Sequence, residues 1–508
     1  MVDVSAPSRA KEQKYDITRL MNRWSNPLIV CAVLVTAVVL AADAVVSIAS
    51  GLYLNLGSGV WLALAKDTFE GVFYRPLWNG VEYGGTRYFP VLFVAIATLM
   101  RAGISVVAAG VTVSMLGLAA MAAAVFMLLK RLSVPSPLAT LGAALATSPY
   151  FVHQTAFAVR CEPIAAALAI SGLAVLARVE KRPDSIPREL LAAVLFIGAF
   201  LTKITCVYAP AAVTLALLFT GRRGAAVRVA GMTAGGAALL LVLINLTSGG
   251  RALASFRACA LAGSSFSSLV SPVTVLRPLE LIATSHLLTV VFLLAALALV
   301  LGWRARMSLP PLYLLSAAAI TGVIFTSPGT ILTSHILDAY VAAIVLVTAV
   351  TAAQSGRLRQ AGQAALITLT FWAAMQNVVI VGKLTMRGVV GKSVVAHREL
   401  LVALNECEGS IVSESPLIPV FAGQRPVVLD PFAFRVVAMN RPDIGNDLTE
   451  RLRRREFRCV VLEQDPAIPG GHAWYSNVNL TESVRDAILE SYRYDRTVAG
   501  ERFYRALQ

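Results

Sequence analysis

The sequence is poor in charge. Asp, Glu, Lys and Arg make up 14% of its 508 residues, whereas soluble domains carry about 25%. That deficit excludes one large water-soluble domain. Cysteine is scarce too. The six cysteines, Cys31, Cys161, Cys206, Cys259, Cys407 and Cys459, stand apart with no CxxC or Cys/His spacing, which argues against a zinc site. Low-complexity tracts are lacking, and no internal repeat is visible in parallel or inverted order. The first apolar run has no small-residue cleavage site that would end it early, so it reads as a membrane helix rather than a removed signal.

Apolar residues are abundant: 57% of the chain is hydrophobic and mean hydropathy is +0.71. The net charge of +15 invites a nucleic-acid reading, but much of the excess lies in short connections between apolar runs. Runs able to cross a bilayer begin near residues 27, 105, 137, 161, 189, 205, 228, 285, 309, 333 and 362. One set of connections is basic: Lys130-Arg131, Arg178 to Arg188, Arg222-Arg223-Arg228, Arg304-Arg306 and Arg357-Arg359. The other set, 51–104, 153–160, 247–284 and 326–332, is mixed or neutral. With the basic N-terminus inside, all the basic connections fall inside. The pattern predicts about eleven crossings and places the C-terminal part outside. Residues 88–104 read as a helix in the outer interface, opened by Pro90 and carrying Arg101 towards headgroups.

The predicted architecture is therefore an all-α polytopic membrane domain followed by a small extracytoplasmic α/β domain. Residues 1–26 form a cytoplasmic segment, 27–385 the membrane domain with a first outer loop at 51–104, and 386–508 the outer domain. In the outer domain 397–407, 445–457 and 480–490 suit helices. SIVSE, PVVLD and CVVLE suit strands, and RYDRTVAGERFYRAL suits a hairpin about Ala499-Gly500. Neither GxGxxG nor GxxxxGK[ST] occurs there, so a structural or acceptor-positioning domain is the plainer reading. Cys459 lies in an apolar strand-like run and reads as a free buried thiol, with oxidation against Cys407 as the alternative.

The densest polar chemistry lies at 65–93, AKDTFEGVFYRPLWNGVEYGGTRYFPVLF. It holds Asp67, Glu70 and Glu82, the cations Arg75 and Arg87, and the aromatics Tyr74, Trp78, Tyr83 and Tyr88. Asp67 and Glu70 share a face if the segment is helical. Gly84-Gly85 permits a tight turn that presents Thr86-Arg87-Tyr88. Sugar transfer to a hydroxyl needs a carboxylate to take its proton, and a phosphate leaving group needs cations. The alternative is a solvated loop whose acids and bases pair locally.

This layout resembles the GT-C superfamily of membrane glycosyltransferases, which includes protein O-mannosyltransferases and the lipid A aminoarabinose transferase. The resemblance covers nearly the whole chain in architecture and is thinner in local motif. It implies that an acid early in the first outer loop is the catalytic base, Asp67 or its rival Glu70. Arg87-Tyr88-Phe89-Pro90 looks like the family's Tyr-x-Pro entry to the interface helix. Arg160-Cys161-Glu162-Pro163 looks like its Arg-x-Asp/Glu-Pro stretch, and Leu201-Thr202-Lys203 like its Leu-x-Lys turn. The resemblance implies that Arg87, Arg160 and Lys203 face the donor phosphate and that Tyr83, Tyr88, Glu162 and His335 line the substrates. The family's Asp-Glu pair at the loop's start is absent; Lys66-Asp67 stands instead.

The expected activity is transfer of a hexosyl or pentosyl unit from a polyprenyl-phosphate donor to an extracytoplasmic glycolipid, polysaccharide or protein. No cofactor is expected for such a donor. A polyprenyl-diphosphate donor would bring a divalent metal, with Glu70 and Glu82 as candidates. The resemblance to bacterial members implies a bacterial inner membrane. The rival is a lipid or sugar transporter, which would favour internal repeats and ionisable groups near the midplane; a non-catalytic anchoring protein is a third reading.

Other polar residues have plainer readings as well. Arg160 and Glu162 suit either a mutual pair or a phosphate contact, and Lys203 suits donor binding or snorkelling. Asp338, one turn from His335, is its natural partner. Asp43 suits helix packing, and His153 has no metal-ligand spacing with a nearby acid. Arg451 to Arg455 read as a solvated helix face.

Overall fold

The computed structural model describes residues 7–177, 185–259, 272–302, 308–325, 333–386, 398–407 and 409–507. The basic connections at 178–184 and 304–306 lie outside the described residues. A helix stands at each of the eleven expected positions, but their lengths differ. Five are long and apolar enough to cross a membrane: Asn26–Ser50, Val106–Arg131, Arg223–Thr247, Ser334–Ala353 and Gly356–Met386. A sixth arises if the pair Tyr150–Phe157 and Glu162–Leu176, bent by 108°, is one broken span. Others, such as Ser136–Thr147, run only about 18 Å at 1.5 Å per residue, against a core of about 30 Å.

Helix α1 (Pro7–Ser50) enters the outer segment, where two short helices follow: α2 (Leu56–Phe69) and α3 (Pro90–Arg101). The second is the expected interface helix; the first lies inside what reads from sequence as a loop. Asn55 caps α2 by accepting from the Ser58 N–H, and Ser58 accepts in turn from the Asn55 N–H, so two otherwise unsatisfied donors are covered. Helices α4 (Val106–Arg131), α5 (Ser136–Thr147), α6 (Tyr150–Phe157) and α7 (Glu162–Leu176) then build the centre of the apolar core.

Asp43 sits inside this membrane domain with partners. Its carboxylate lies 2.8 Å from His153 Nδ1 and accepts from Tyr53 at 3.1 Å and Ser47 at 3.4 Å. His153 thus does have a nearby acid, 110 residues away, and the group ties α1 to α6 as a packing role requires.

The outer domain is a four-stranded sheet in the order β1-β2-β4-β3. β1 (Ile411–Ser413) and β2 (Cys459–Leu462) are parallel, and β4 (Glu501–Ala506) runs antiparallel to β2 and to β3 (Tyr492–Val498). The hairpin turns where expected: Ala499 and Gly500 both have positive φ, 58° and 88°, as a two-residue type I′ turn demands. Helices Pro431–Asn440, Pro442–Arg453 and Glu482–Ser491 cover one face. The segment 398–405 and Cys407 cover the other.

Two expectations are corrected. Cys459 is joined to Cys407 because the helix before Cys407 packs directly on β2. PVVLD is not a strand of the sheet. Its backbone pairs with the first outer loop: Tyr83 N–H donates to Val427 O and Leu429 N–H to Tyr83 O, at 2.7 and 2.9 Å.

Burial near the hairpin also sets a pH response. Glu501 is pushed up to about 8 by burial and then by Glu463 and Glu414, against about 4.3 unfolded. A raised folded value favours folding below the unfolded value, and that contribution is lost as pH rises from about 4.3 through about 8. Glu501→Gln is therefore expected to flatten the fall in Tm between pH 5 and 9. An unchanged pH profile would overturn the assignment.

Candidate active site at the outer end of the membrane domain

The bend between α6 and α7 shapes the site. Val159, a β-branched residue, sits at φ 51°, a left-handed conformation costing on the order of 1–2 kcal/mol. The bend turns Arg160 onto the start of α2, where its Nη2 donates to Asn55 Oδ1 at 3.2 Å. Gly57 makes room, since a Cβ there would lie 2.8 Å from the guanidinium. Two residues on, a Cβ on Gly59 would collide with the Leu417 backbone of the outer domain.

Two further cations act with Arg160 on His335. Arg87, half-buried, lies over the Phe432 ring at 4.5 Å. Among the described residues neither Arg87 nor Arg160 makes an ion pair, although most arginines of the outer domain do. Lys203 begins the turn Ile204–Val207 and is buried against Asp338 at 3.1 Å. His335 interacts electrostatically with Lys203, Glu162, Arg160 and Arg87, and Glu162 with Lys203, Arg160 and His335. Tyr88 stacks on Trp61 with centroids 4.3 Å apart and lies within the field of Asp430, Arg87 and Arg160.

Six of the nine residues singled out from sequence are thus brought together: Arg87, Tyr88, Arg160, Glu162, Lys203 and His335. Several pairings differ from expectation. Asp338 bonds Lys203 and accepts from Tyr208 at 2.8 Å, not from His335, because Lys203 reaches it from the neighbouring bundle. Arg160 turns to Asn55 rather than Glu162. Lys203 neither snorkels nor stands free.

Asp67, Glu70 and Tyr83 lie elsewhere. Asp67 is twelve residues beyond the α2 cap, roughly 18 Å along the helix. It is 1% exposed and held bidentately by Arg75 at 2.5 and 2.7 Å. Arg425 of the outer domain adds a third bond at 3.1 Å and also holds Glu82 at 2.8 Å. Burial raises the Asp67 carboxyl above its ordinary value, opposed by Arg75 and then Arg425. Enclosed in this way, Asp67 offers no open face to an acceptor hydroxyl. Glu70 pairs with Lys66 at 2.7 Å at the rim of the same cluster. Tyr83 is wholly buried in the outer-domain core, edge-on to Phe434 at 5.3 Å with its hydroxyl donating to Asp447. Arg451, expected on a solvated face, donates to Val81 O at 2.9 Å. The polar loop at 65–93 therefore largely docks the outer domain, through buried pairs with residues some 350 positions later.

Sequence reasoning passed over Asp430. It caps the helix Pro431–Asn440, its Oδ1 accepting from Phe432 and Ala433 N–H at 3.1 Å each. Burial raises its carboxyl, opposed by Arg87 and the two N–H groups. Asp before Pro at a helix start was the available signal. Among the described residues no group of three or more His, Cys, Asp or Glu is arranged to hold a metal ion.

No family model and no curated protein matches the sequence. Solved structures do match. ArnT from Cupriavidus metallidurans bound to undecaprenyl phosphate is 13% identical, with a TM-score of 0.60, covering 94% of this chain and 97% of that one. Archaeal oligosaccharyltransferase AglB from Archaeoglobus fulgidus, in complex with an inhibitory peptide and a dolichol-phosphate, is 13% identical with a TM-score of 0.51. It covers 93% of this chain and 74% of that one. This chain therefore shares its fold with these two membrane proteins.

Proposed function

We propose that this chain is a GT-C-type glycosyltransferase that moves a sugar from a polyprenyl-phosphate donor to an extracytoplasmic acceptor. The observation that carries the reading is the pair of half-buried arginines without ion-pair partners among the described residues, Arg87 and Arg160, which act together with Lys203 on His335. Arginines free of close ion pairs, with Arg160 set beside the N-terminal dipole of α2, suit an anion. At the outer end of a membrane bundle, a lipid-borne phosphate fits that chemistry. The two solved structures of this fold contain polyprenyl phosphate lipids, which agrees with it.

In this reading Arg87, Arg160 and Lys203 stabilise charge on the departing phosphate, and Tyr88 and His335 border the sugar. Asp430 takes the acceptor's proton: its carboxyl is raised, which favours a base, and it stands where the outer domain meets the cations. Glu162, closer to the cations, orients the donor. The three cations supply the neutralisation that a phosphate monoester leaving group needs, and no metal is assigned a step.

Eleven crossings with a cytoplasmic N-terminus and an extracytoplasmic outer domain complete the proposal. The alternation of basic and neutral connections supports that orientation, and the Cys407–Cys459 disulfide suits an oxidising compartment. A bacterial inner membrane fits both.

The test measures release of polyprenyl phosphate from polyprenyl-phosphate sugars by the purified protein supplied with glycolipid and glycan acceptors. Asp430→Asn keeps the helix cap and removes the base, so turnover is expected to fall about a hundredfold, while polyprenyl phosphate still binds. Loss in Glu162→Gln alone would move the base to Glu162. Wild-type turnover in both variants would overturn the transfer chemistry assigned to this site.

A further inference from the structure

A second cavity lies in the outer domain, away from the cations. Its volume is about 460 Å³, within the range of small-molecule pockets, about 300–1,000 Å³. Tyr492, Tyr494, Thr497, Arg502 and Tyr504 come from one face of the β3–β4 hairpin, and Asp465 from the loop after β2. Tyr494 and Tyr504 are cross-strand partners with ring centroids 5.8 Å apart and edge-to-face geometry. Tyr494 is 54% exposed, so one face of its ring is open to solvent.

The polar groups are fixed in place. Arg502 donates to Glu463 O at 2.8 Å, and Asp465 Oδ1 accepts from the Ala467 N–H at 3.0 Å. Thr497 Oγ1 lies 2.9 Å from the Tyr494 hydroxyl. Tyr492 and Tyr504 belong to the buried core, so the lining offers the exposed Tyr494 ring together with one carboxylate, one guanidinium and hydroxyls. An anion would meet Asp465 and a cation would meet Arg502. A neutral, polyhydroxylated ring suits both: its C–H faces lie on tyrosine, and its hydroxyls donate to the carboxylate and accept from the guanidinium. From Tyr492 to Thr497 the strand covers roughly 17 Å at about 3.3 Å per residue, which gives a groove rather than a single-sugar cup.

Arg502 pairs with Leu462 at the C-terminal edge of the two parallel strands, and Tyr492 pairs with Ala506 beyond the other end of β2, so the groove runs the length of the strand. β1 leaves by the C-terminal edge into Leu417–Phe421, whose first residue abuts Gly59 of α2. Two strand spacings, about 10 Å, separate β1 from β4.

We infer that the β3–β4 groove is a docking subsite for uncharged sugar residues of the acceptor, which makes the acceptor a glycan chain or a glycosylated lipid. This inference rests on the transferase reading for its role and not for its binding. The test titrates the purified full-length protein with neutral oligosaccharides, a panel of arabinan, galactan and mannan tetrasaccharides, followed by saturation-transfer NMR. At least one is expected to bind, and Tyr494→Ala and Asp465→Asn are each expected to weaken it about tenfold. Polyprenyl phosphate binding should be unchanged in both variants. No binding by any panel member, or binding indifferent to both substitutions, would overturn the subsite. Sugar binding that depends on Tyr494 in a protein with no donor turnover would uphold the groove and overturn the transferase reading instead.

Discussion

Lys203→Met is expected to lower turnover of a polyprenyl-phosphate sugar by about a hundredfold or more, the scale on which one electrostatic contact to a departing anion acts. It is also expected to lower stability, and the two effects need separating. Lys203 is buried and 3.1 Å from Asp338, so methionine leaves a buried carboxylate with only the Tyr208 hydroxyl. Breaking such a pair from one side typically costs about 3–5 kcal/mol. Lys203→Met/Asp338→Asn removes both charges and should recover most of the lost Tm. If Lys203 holds the donor phosphate, the double variant is stable and still inactive, and it binds polyprenyl phosphate weakly. A stable double variant with wild-type turnover would reduce Lys203 to a structural counter-charge.

The residues of this site were legible wherever a local pattern marked them. Arg160, Glu162 and Pro163 open a helix after an outer loop, Lys203 interrupts two apolar runs, and Arg87-Tyr88-Phe89-Pro90 leads into the amphipathic α3. Each is a polar break in apolar sequence, and the structure gathers all three. Helix starts were legible for the same reason, as were β1, β2 and the Ala499-Gly500 turn. Long-range pairing was not. Asp67 finds Arg425, and Tyr83 finds Asp447, across a separation that no spacing rule covers. PVVLD has the composition of a strand, yet its hydrogen bonds go to a loop that the sequence places in another domain. Helix α2, inside the segment read as the first outer loop, could have been read from its Asn55 and Ser58 cap, and it carries Gly57 and Gly59. Their reason is tertiary: Arg160 and Leu417 approach too closely for side chains.

The first outer loop decides between two roles for Asp67, and the Arg75–Asp67 pair allows the decision. Both side chains are 1% exposed. Arg75→Met should leave Asp67 buried with Arg425 alone, and Asp67→Asn should leave Arg75 with its tie to Pro426 O at 2.6 Å and a distant Glu82. Each single change is expected to destabilise by about 3–5 kcal/mol, seen as a large fall in Tm and as early proteolysis of the outer domain, which this pair anchors. Arg75→Met/Asp67→Leu replaces the pair with apolar groups of similar bulk, and such swaps are often neutral or stabilising. The coupling between the two positions should therefore reach about 1–3 kcal/mol. Activity then separates the roles. If Asp67 only fastens the outer domain over the cation site, the double variant regains turnover along with stability. If Asp67 were the base implied by the family resemblance, the double variant would fold, bind polyprenyl phosphate and transfer nothing. The enclosure of Asp67 by two guanidiniums favours the first result, because a carboxylate 1% exposed and held at three points leaves an incoming hydroxyl no open approach.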